Sequence, residues 1–131
     1  NKARYSLMYG IQKPPEYGLV DSFNYKQWFH KLYSYVLSRV NIITVTATYS
    51  VESDTFLVRV DTTSAGFTVT LPAAANCTGR QIVVKKIDAS ANNITVDGNG
   101  SETIDGAATK VWNTQYLSYT FISNGSNWDI I

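Results

Sequence analysis

The chain has 131 residues, a formal net charge of +1, and 44% hydrophobic, 16% charged and 13% aromatic residues; this is enough for one ordinary core and too little for two comfortable ones. Low charge with many Thr, Asn and Gly residues suits strands and turns better than long solvated helices, and no apolar run approaches the ~20 residues that cross a bilayer. A single cysteine, Cys77, excludes an internal disulfide and a four-cysteine zinc site.

The small net charge hides a split at Val40. Residues 1–40 hold six basic groups (Lys2, Arg4, Lys13, Lys26, Lys31, Arg39) against Glu16 and Asp21, a balance of +4, and the remainder holds five basic and eight acidic groups, a balance of −3. Such asymmetry fits an acidic partner for the N-terminal part or a solvated arm. The basic groups are too loosely placed for a nucleic-acid footprint. No charged start leads into an apolar core with a small-residue cleavage site, as a secretory signal requires. A chain that opens on Asn1 is expected to be a fragment, a processed product or the ordered part of something longer.

Residues 1–20 read as an extended arm. Lys13-Pro14-Pro15 lacks two backbone donors and biases its neighbours toward extended geometry, while Tyr5, Leu7, Met8, Tyr9 and Ile11 are too apolar for a free tail and point to a partner or a second copy. From Asp21 the period becomes helical. Asp21 or Ser22 is available as N-cap, and Tyr25, Trp28, Phe29, Leu32, Tyr33, Val36, Leu37 and Val40 recur at spacings of three and four, which predicts an amphipathic helix over 21–41. Within it, Tyr25, Phe29, Leu32 and Val36 follow the spacing of a coiled-coil seam. The stripe suits either self-association or packing on the domain that follows.

Beyond residue 42 the period becomes two. Strands are predicted at 43–46, 55–60, 67–71, 81–87, 94–96, 110–112, 117–122 and 128–131, separated by turn-forming stretches such as Asn92-Asn93, Asp105-Gly106 and Asn124-Gly125-Ser126-Asn127. Short β-rich runs between such turns predict a mainly β domain over 42–131, an antiparallel sandwich, barrel or stacked fibre module. The fold expected is thus an arm and one helix leading into an antiparallel β-sandwich or fibre-type module.

The stretch ITVDGNGSETIDG, residues 94–106, holds the densest group of oxygen side chains and glycines. Aligned as a calcium loop from Asp97, it places Glu102 where the tight turn needs glycine and Ala108 where a bidentate glutamate should stand, and its flanks are strands. Turn chemistry explains it instead: Gly98, Gly100 and Gly106 supply positive-φ positions, with Ile94, Val96 and Ile104 as inward anchors. No metal site, cofactor site or catalytic group is predicted. His30 falls inside the helix, nothing around Cys77 marks a reactive thiol, and phosphate-cradling glycine patterns are absent. Trp112, Tyr116 and Tyr119, with Trp128 nearby in sequence, are either core aromatics or a face that stacks on a glycan. Asn76, Asn93, Asn99 and Asn124 begin Asn-x-Ser/Thr sequons, which an Asn- and Thr-rich β protein produces by chance.

The run LVRVDTTSAGFTVTLPAAANCTGRQIVVKKIDASANNITVDGNGSETIDGAATKVW, followed by YTFISNGSNWDII, resembles a β module found near the ends of bacteriophage tail fibres and in other virion structural proteins. It covers residues 55–131 and leaves the arm and helix outside. The matching features are the strand before TVTLP, the strand ending in Lys85-Lys86, the double turn of 94–106, and the closing NGSNW stretch. Cys77 departs from it, standing in a loop where a small polar residue is expected. The resemblance implies a non-enzymatic virion component on the tail or capsid surface, trimeric, with no cofactor. The oligomer seam expected is Tyr25, Phe29, Leu32 and Val36, and residues 1–40 are expected to dock onto other virion proteins. The alternative is a host-attachment module whose Trp112, Tyr116 and Tyr119 meet a surface glycan. Pro72 is expected to end a strand, Gly79 to permit the next turn, and Trp128 to plug the core.

Overall fold

A computed structural model describes residues 22–38 and 40–131, with helix side chains described for 26–35. The chain divides between residues 39 and 40 into two compact units. The arm over 1–20 and the cap position Asp21 lie outside the described residues, as do the side chains of Tyr25 and Val36.

In the first unit, helix α1 spans Ser22–Ser38. It ends short of the expected boundary at 41, because Asn41-Ile42-Ile43-Thr44-Val45 brings in β-branched residues at a period of two, and a strand begins at Asn41. Phe29 and Tyr33 are exposed, while Leu32 and Tyr35 are half-buried. The ring of Trp28 meets Phe29 edge-on, with centroids 6.1 Å apart.

The second unit is β throughout apart from a 3-10 turn at Ala74–Asn76. Its strands are β1 (Asn41–Val45), β2 (Tyr49–Ser50), β3 (Thr55–Val60), β4 (Phe67–Thr70), β5 (Gln81–Lys86), β6 (Ile94–Asp97), β7 (Thr109–Trp112), β8 (Ser118–Ser123) and β9 (Trp128–Ile130). They form two sheets, ordered β1-β3-β5-β8-β9 and β2-β4-β6-β7. Consecutive strands alternate between the sheets as far as β6, so each return to a sheet runs in the same direction as the last visit. Pairing is accordingly parallel for β1–β3, β3–β5, β2–β4 and β4–β6. The chain then reverses, and β6–β7, β5–β8 and β8–β9 are antiparallel.

The mainly β fold with one helix is therefore as expected, and the strand directions are not: three parallel rungs, β1-β2, β3-β4 and β5-β6, are stacked and then closed by an antiparallel end. The expectation of antiparallel strands rested on short period-two runs punctuated by Asn, Asp and Gly turns; a parallel sheet usually lacks such alternation because both its faces are covered. Each sheet here has one covered face, so its strands alternate as antiparallel ones do.

Between the sheets lies one core. Val58, Val60, Ile82, Val84, Phe121 and Trp128 from the first sheet meet Val69, Ile94, Val96 and Trp112 from the second, with Leu71, Ala74 and Ile104 from the connections. Val58↔Val84 and Val60↔Lys86 sit in register on adjacent rungs, as do Val69↔Val96 and Phe67↔Ile94. The two outer faces differ. On the first sheet, Ile42, Leu57 and Val83 line up across β1, β3 and β5, Val83 pairs with Thr120, and the Ile131 N–H bonds Thr120 O. Ile42 is 52% exposed and Ile131 66%. The same positions of the second sheet carry Ser50, Thr70, Asp97 and Thr109 in one row and Thr68, Thr95 and Val111 in the next.

Candidate functional site

Rung stacking brings like corners together, and the polar chemistry of the β unit collects there. At the corner after β3 and the corner after β5, Thr62, Asp88, Ser90 and Asn92 gather around Lys86, whose side chain is fully buried. Lys86 Nζ donates to Asp88 Oδ1 at 2.6 Å, to Thr62 Oγ1 at 2.5 Å and to Ser90 Oγ at 3.3 Å. Three acceptors match the three donors of an ammonium group. Asp88, its side chain 7% exposed, also accepts from Thr62 N at 2.7 Å and Ser90 N at 2.9 Å. Burial alone would raise its pKa, but the bonds from Lys86, Ser90 and Thr62 outweigh burial and hold the carboxyl well below the usual range. Asn92 Nδ2 closes the cluster onto Thr62 O at 2.8 Å.

This group escaped the sequence reading, although a signal for it was present. Ile82, Val84 and Lys86 share one phase of β5, so the alternation that places two of them inward places the lysine inward as well, and Asp88 follows two residues later. A buried charge needs a partner, and the cluster supplies one. Chemically it is a tie between rungs, with its amine and carboxylate both engaged.

The 94–106 stretch forms the second polar centre, and it is a strap. Asp105 at φ 49° and Gly106 at φ 80° make a two-residue turn, closed by Ile104 N to Ala107 O at 2.7 Å and Ala107 N to Ile104 O at 2.9 Å. Gly100, at φ 64°, takes the expected positive φ. Gly98 does not, and its requirement is proximity: a Cβ there would lie 2.6 Å from Glu102 O. The Glu102 carboxylate accepts from Ala74 N at 2.9 Å, Trp128 Nε1 at 3.2 Å and Asn99 N at 3.4 Å. Asn127 Oδ1 takes the Thr103 N–H at 2.8 Å, and Asp105 Oδ1 takes the Ile130 N–H at 3.1 Å. The carboxylates of Glu102 and Asp105 thus point at separate backbone and indole donors.

The aromatics divide. Trp112, 6% exposed, faces the core and meets Tyr119 edge-on with centroids 5.0 Å apart; its indole N–H has no hydrogen-bond partner among the described residues. Lys110 Nζ lies 4.4 Å from the Tyr119 ring centroid, over one face. Tyr116, 65% exposed, presents its ring to solvent at φ 62°, with Lys85 Nζ 5.9 Å from its centroid. Of the three residues proposed for a glycan face, Tyr116 is the one with an open ring. Cys77 is half-buried and its thiol donates to Ala73 O at 3.3 Å. His30 is exposed on α1 beside Lys26, Phe29 and Tyr33. Pro72 follows β4, Gly79 has φ 80°, and Trp128 is fully buried.

No known protein family matches the sequence, and no curated protein matches it. The class defined by the fold is a short, two-sheet coil of parallel rungs with an antiparallel end.

Proposed function

We propose that the chain is a non-enzymatic structural protein of a virion: a fibre, or a spike associated with capsid or tail, that assembles as a homotrimer. Residues 1–40 dock onto other virion proteins, and the β unit projects. The observation that carries the assembly part is the contrast between the two outer faces of the β unit. One bears Ile42, Leu57, Val83 and Ile131, and the other bears Ser50, Thr68, Thr70, Thr95 and Thr109. The apolar row crosses β1, β3 and β5 before meeting Thr120 on β8, with Thr44, Arg59, Lys85 and Ser118 in the row beside it. A partly exposed apolar row of this kind marks a surface to be covered. Copies of the same chain would cover it and would also bury the helix stripe of Phe29 and Leu32, with Tyr25 and Val36 completing the seam. The edges at β1 and β2 give a further reason for assembly, since unpaired strand edges invite other chains. The resemblance to virion fibre modules supplies the setting.

Electron microscopy of assembled particles tests this reading. Wild-type spikes are expected to show three-fold symmetry, deletion of residues 1–40 is expected to strip them from the particle, and Leu32→Asp is expected to abolish the three-fold density. Truncating a buried Leu typically costs ~2–5 kcal/mol, and three-fold symmetry repeats the defect in every chain. Spikes at normal occupancy after the deletion would overturn the docking role.

Exposed Tyr116 favours a second reading, a host-attachment module that stacks a sugar on that ring. A strained backbone position carrying an exposed aromatic is a recurrent mark of a ligand contact. In a glycan array, Tyr116→Ala is expected to lose any sugar that the wild type retains. A wild type that binds no glycan would leave the structural reading alone.

A further inference from the structure

We propose that Asn99 is a site of spontaneous deamidation and that Asn124, which is also followed by glycine, is protected by the fold. The reaction needs no enzyme. The backbone nitrogen of the following residue attacks the asparagine Cγ, and the side-chain nitrogen leaves as ammonia together with the proton of the attacking N–H. Water then opens the resulting succinimide at either carbonyl. The products are aspartate, or isoaspartate in which the chain runs through the side-chain carbon, and there is no net oxidation or reduction. The step requires a carboxamide that can swing onto the next nitrogen, and a nitrogen that is neither crowded nor engaged.

Asn99 meets both conditions. It is exposed, and its carboxamide has no hydrogen-bond partner among the described residues. It stands first in a turn closed by Glu102 N to Asn99 O at 3.1 Å. The second position is Gly100, at φ 64°, whose N–H likewise has no acceptor among the described residues. A Cβ built on Gly100 would find no atom within 4 Å beyond its chain neighbours, so no other part of the fold crowds this residue.

Asn124 meets neither. Its Oδ1 accepts from Ser126 N at 3.1 Å and Asn127 N at 2.9 Å, and its Nδ2 donates to Asp129 Oδ1 at 3.0 Å and Oδ2 at 3.2 Å. The Gly125 N–H is engaged by Ser123 Oγ at 3.2 Å. For the carboxamide to reach Gly125 N, this whole turn would have to come apart. The two Asp-Gly pairs, which could form the same succinimide by loss of water, are also held. Gly98 is buried against Glu102 O, and the Asp105 carboxylate accepts from Ile130 N.

Conversion at Asn99 adds a carboxylate two peptide bonds from the Ser101–Glu102 link. It does so beside a Glu102 group that already accepts from Asn99 N and Trp128 Nε1. The modified strap carries four carboxylates where it had three, Asp97, Glu102 and Asp105.

The test is to age the full chain in warm, mildly alkaline buffer and to follow the two peptides by mass spectrometry, with isoaspartyl methyltransferase labelling to identify isoaspartate. The native chain is expected to convert at Asn99, with isoaspartate label, while Asn124 remains an amide over the same period. In concentrated urea both positions are expected to convert at comparable rates, because their local sequences, Asn-Gly-Ser, are identical. Asn99→Ser is expected to remove the acidic form seen on ion exchange. The proposal is overturned if native Asn124 converts as fast as Asn99, if native Asn99 stays intact, or if the difference persists in urea and so owes nothing to the fold.

Discussion

Lys86→Met is expected to destabilise the β unit by about 3–5 kcal/mol, the usual consequence of removing one partner from a buried ion pair. Methionine keeps the length of the stem and its packing against the rung, so the loss isolates the ammonium group. Without it, Asp88 keeps its bonds from Thr62 N and Ser90 N but loses the cation 2.6 Å away. Thr62 Oγ1 loses its 2.5 Å donor as well. A domain of this size shifts its melting midpoint by roughly 4–8 °C for each kcal/mol, so thermal unfolding followed by circular dichroism reads the change easily. A midpoint equal to wild type would mean that the cluster contributes nothing to stability.

The same pair sets an acid limit. Asp88 has a folded pKa lowered from the ordinary value of 3.8, so its contribution is fully present above that value and is lost as pH falls through the lower folded one. Protonating Asp88 in the wild type leaves Lys86 buried without its counter-charge. In Lys86→Met that penalty does not arise. The stability gap between the two proteins should therefore narrow steadily as urea titrations move from neutral pH into acid.

What could be read in advance follows from how each signal arises. The strands from β3 to β9 were legible because β-branched residues at a period of two, cut by Asn, Asp and Gly, leave little else to form. β2 was not, since two residues carry no period; Tyr49–Ser50 is a strand because β4 pairs with it. Parallel stacking was hidden for a related reason, as strand direction depends on which sheet the chain visits next, and alternation within a strand does not record that. Lys110 and Trp112 lie on the same side of β7, and a charged residue in phase with a large apolar one concealed which side faced the core. Gly98 was rightly singled out, but for its dihedral angle when the close approach of Glu102 is what excludes a side chain. Trp128 was placed correctly because a large aromatic between an Asn-Gly turn and apolar terminal residues has few other places to go.

Trp128→Ala is expected to cost about 3–5 kcal/mol, at the upper end for core truncations, because two separate losses coincide. The first is volume. Trp128 is fully buried and is among the largest side chains of the core. The second is polar: the indole N–H donates to Glu102 Oε2 at 3.2 Å, and that carboxylate also holds Ala74 N, at the start of the 3-10 turn. Leaving a half-buried carboxylate oxygen short of its donor costs about 1–3 kcal/mol. Trp128→Phe separates the two, since it retains most of the ring packing and removes only the donor, so its loss should fall near the polar share alone. The backbone bonds from Trp128 N to Thr103 O at 2.9 Å and from Asp105 N to Trp128 O at 3.0 Å remain in both variants, which keeps the strap attached while its anchor is removed. Urea unfolding should rank the proteins wild type, Trp128→Phe, Trp128→Ala in falling stability. If phenylalanine proves as damaging as alanine, the hydrogen bond to Glu102 accounts for the anchor and core volume counts for little.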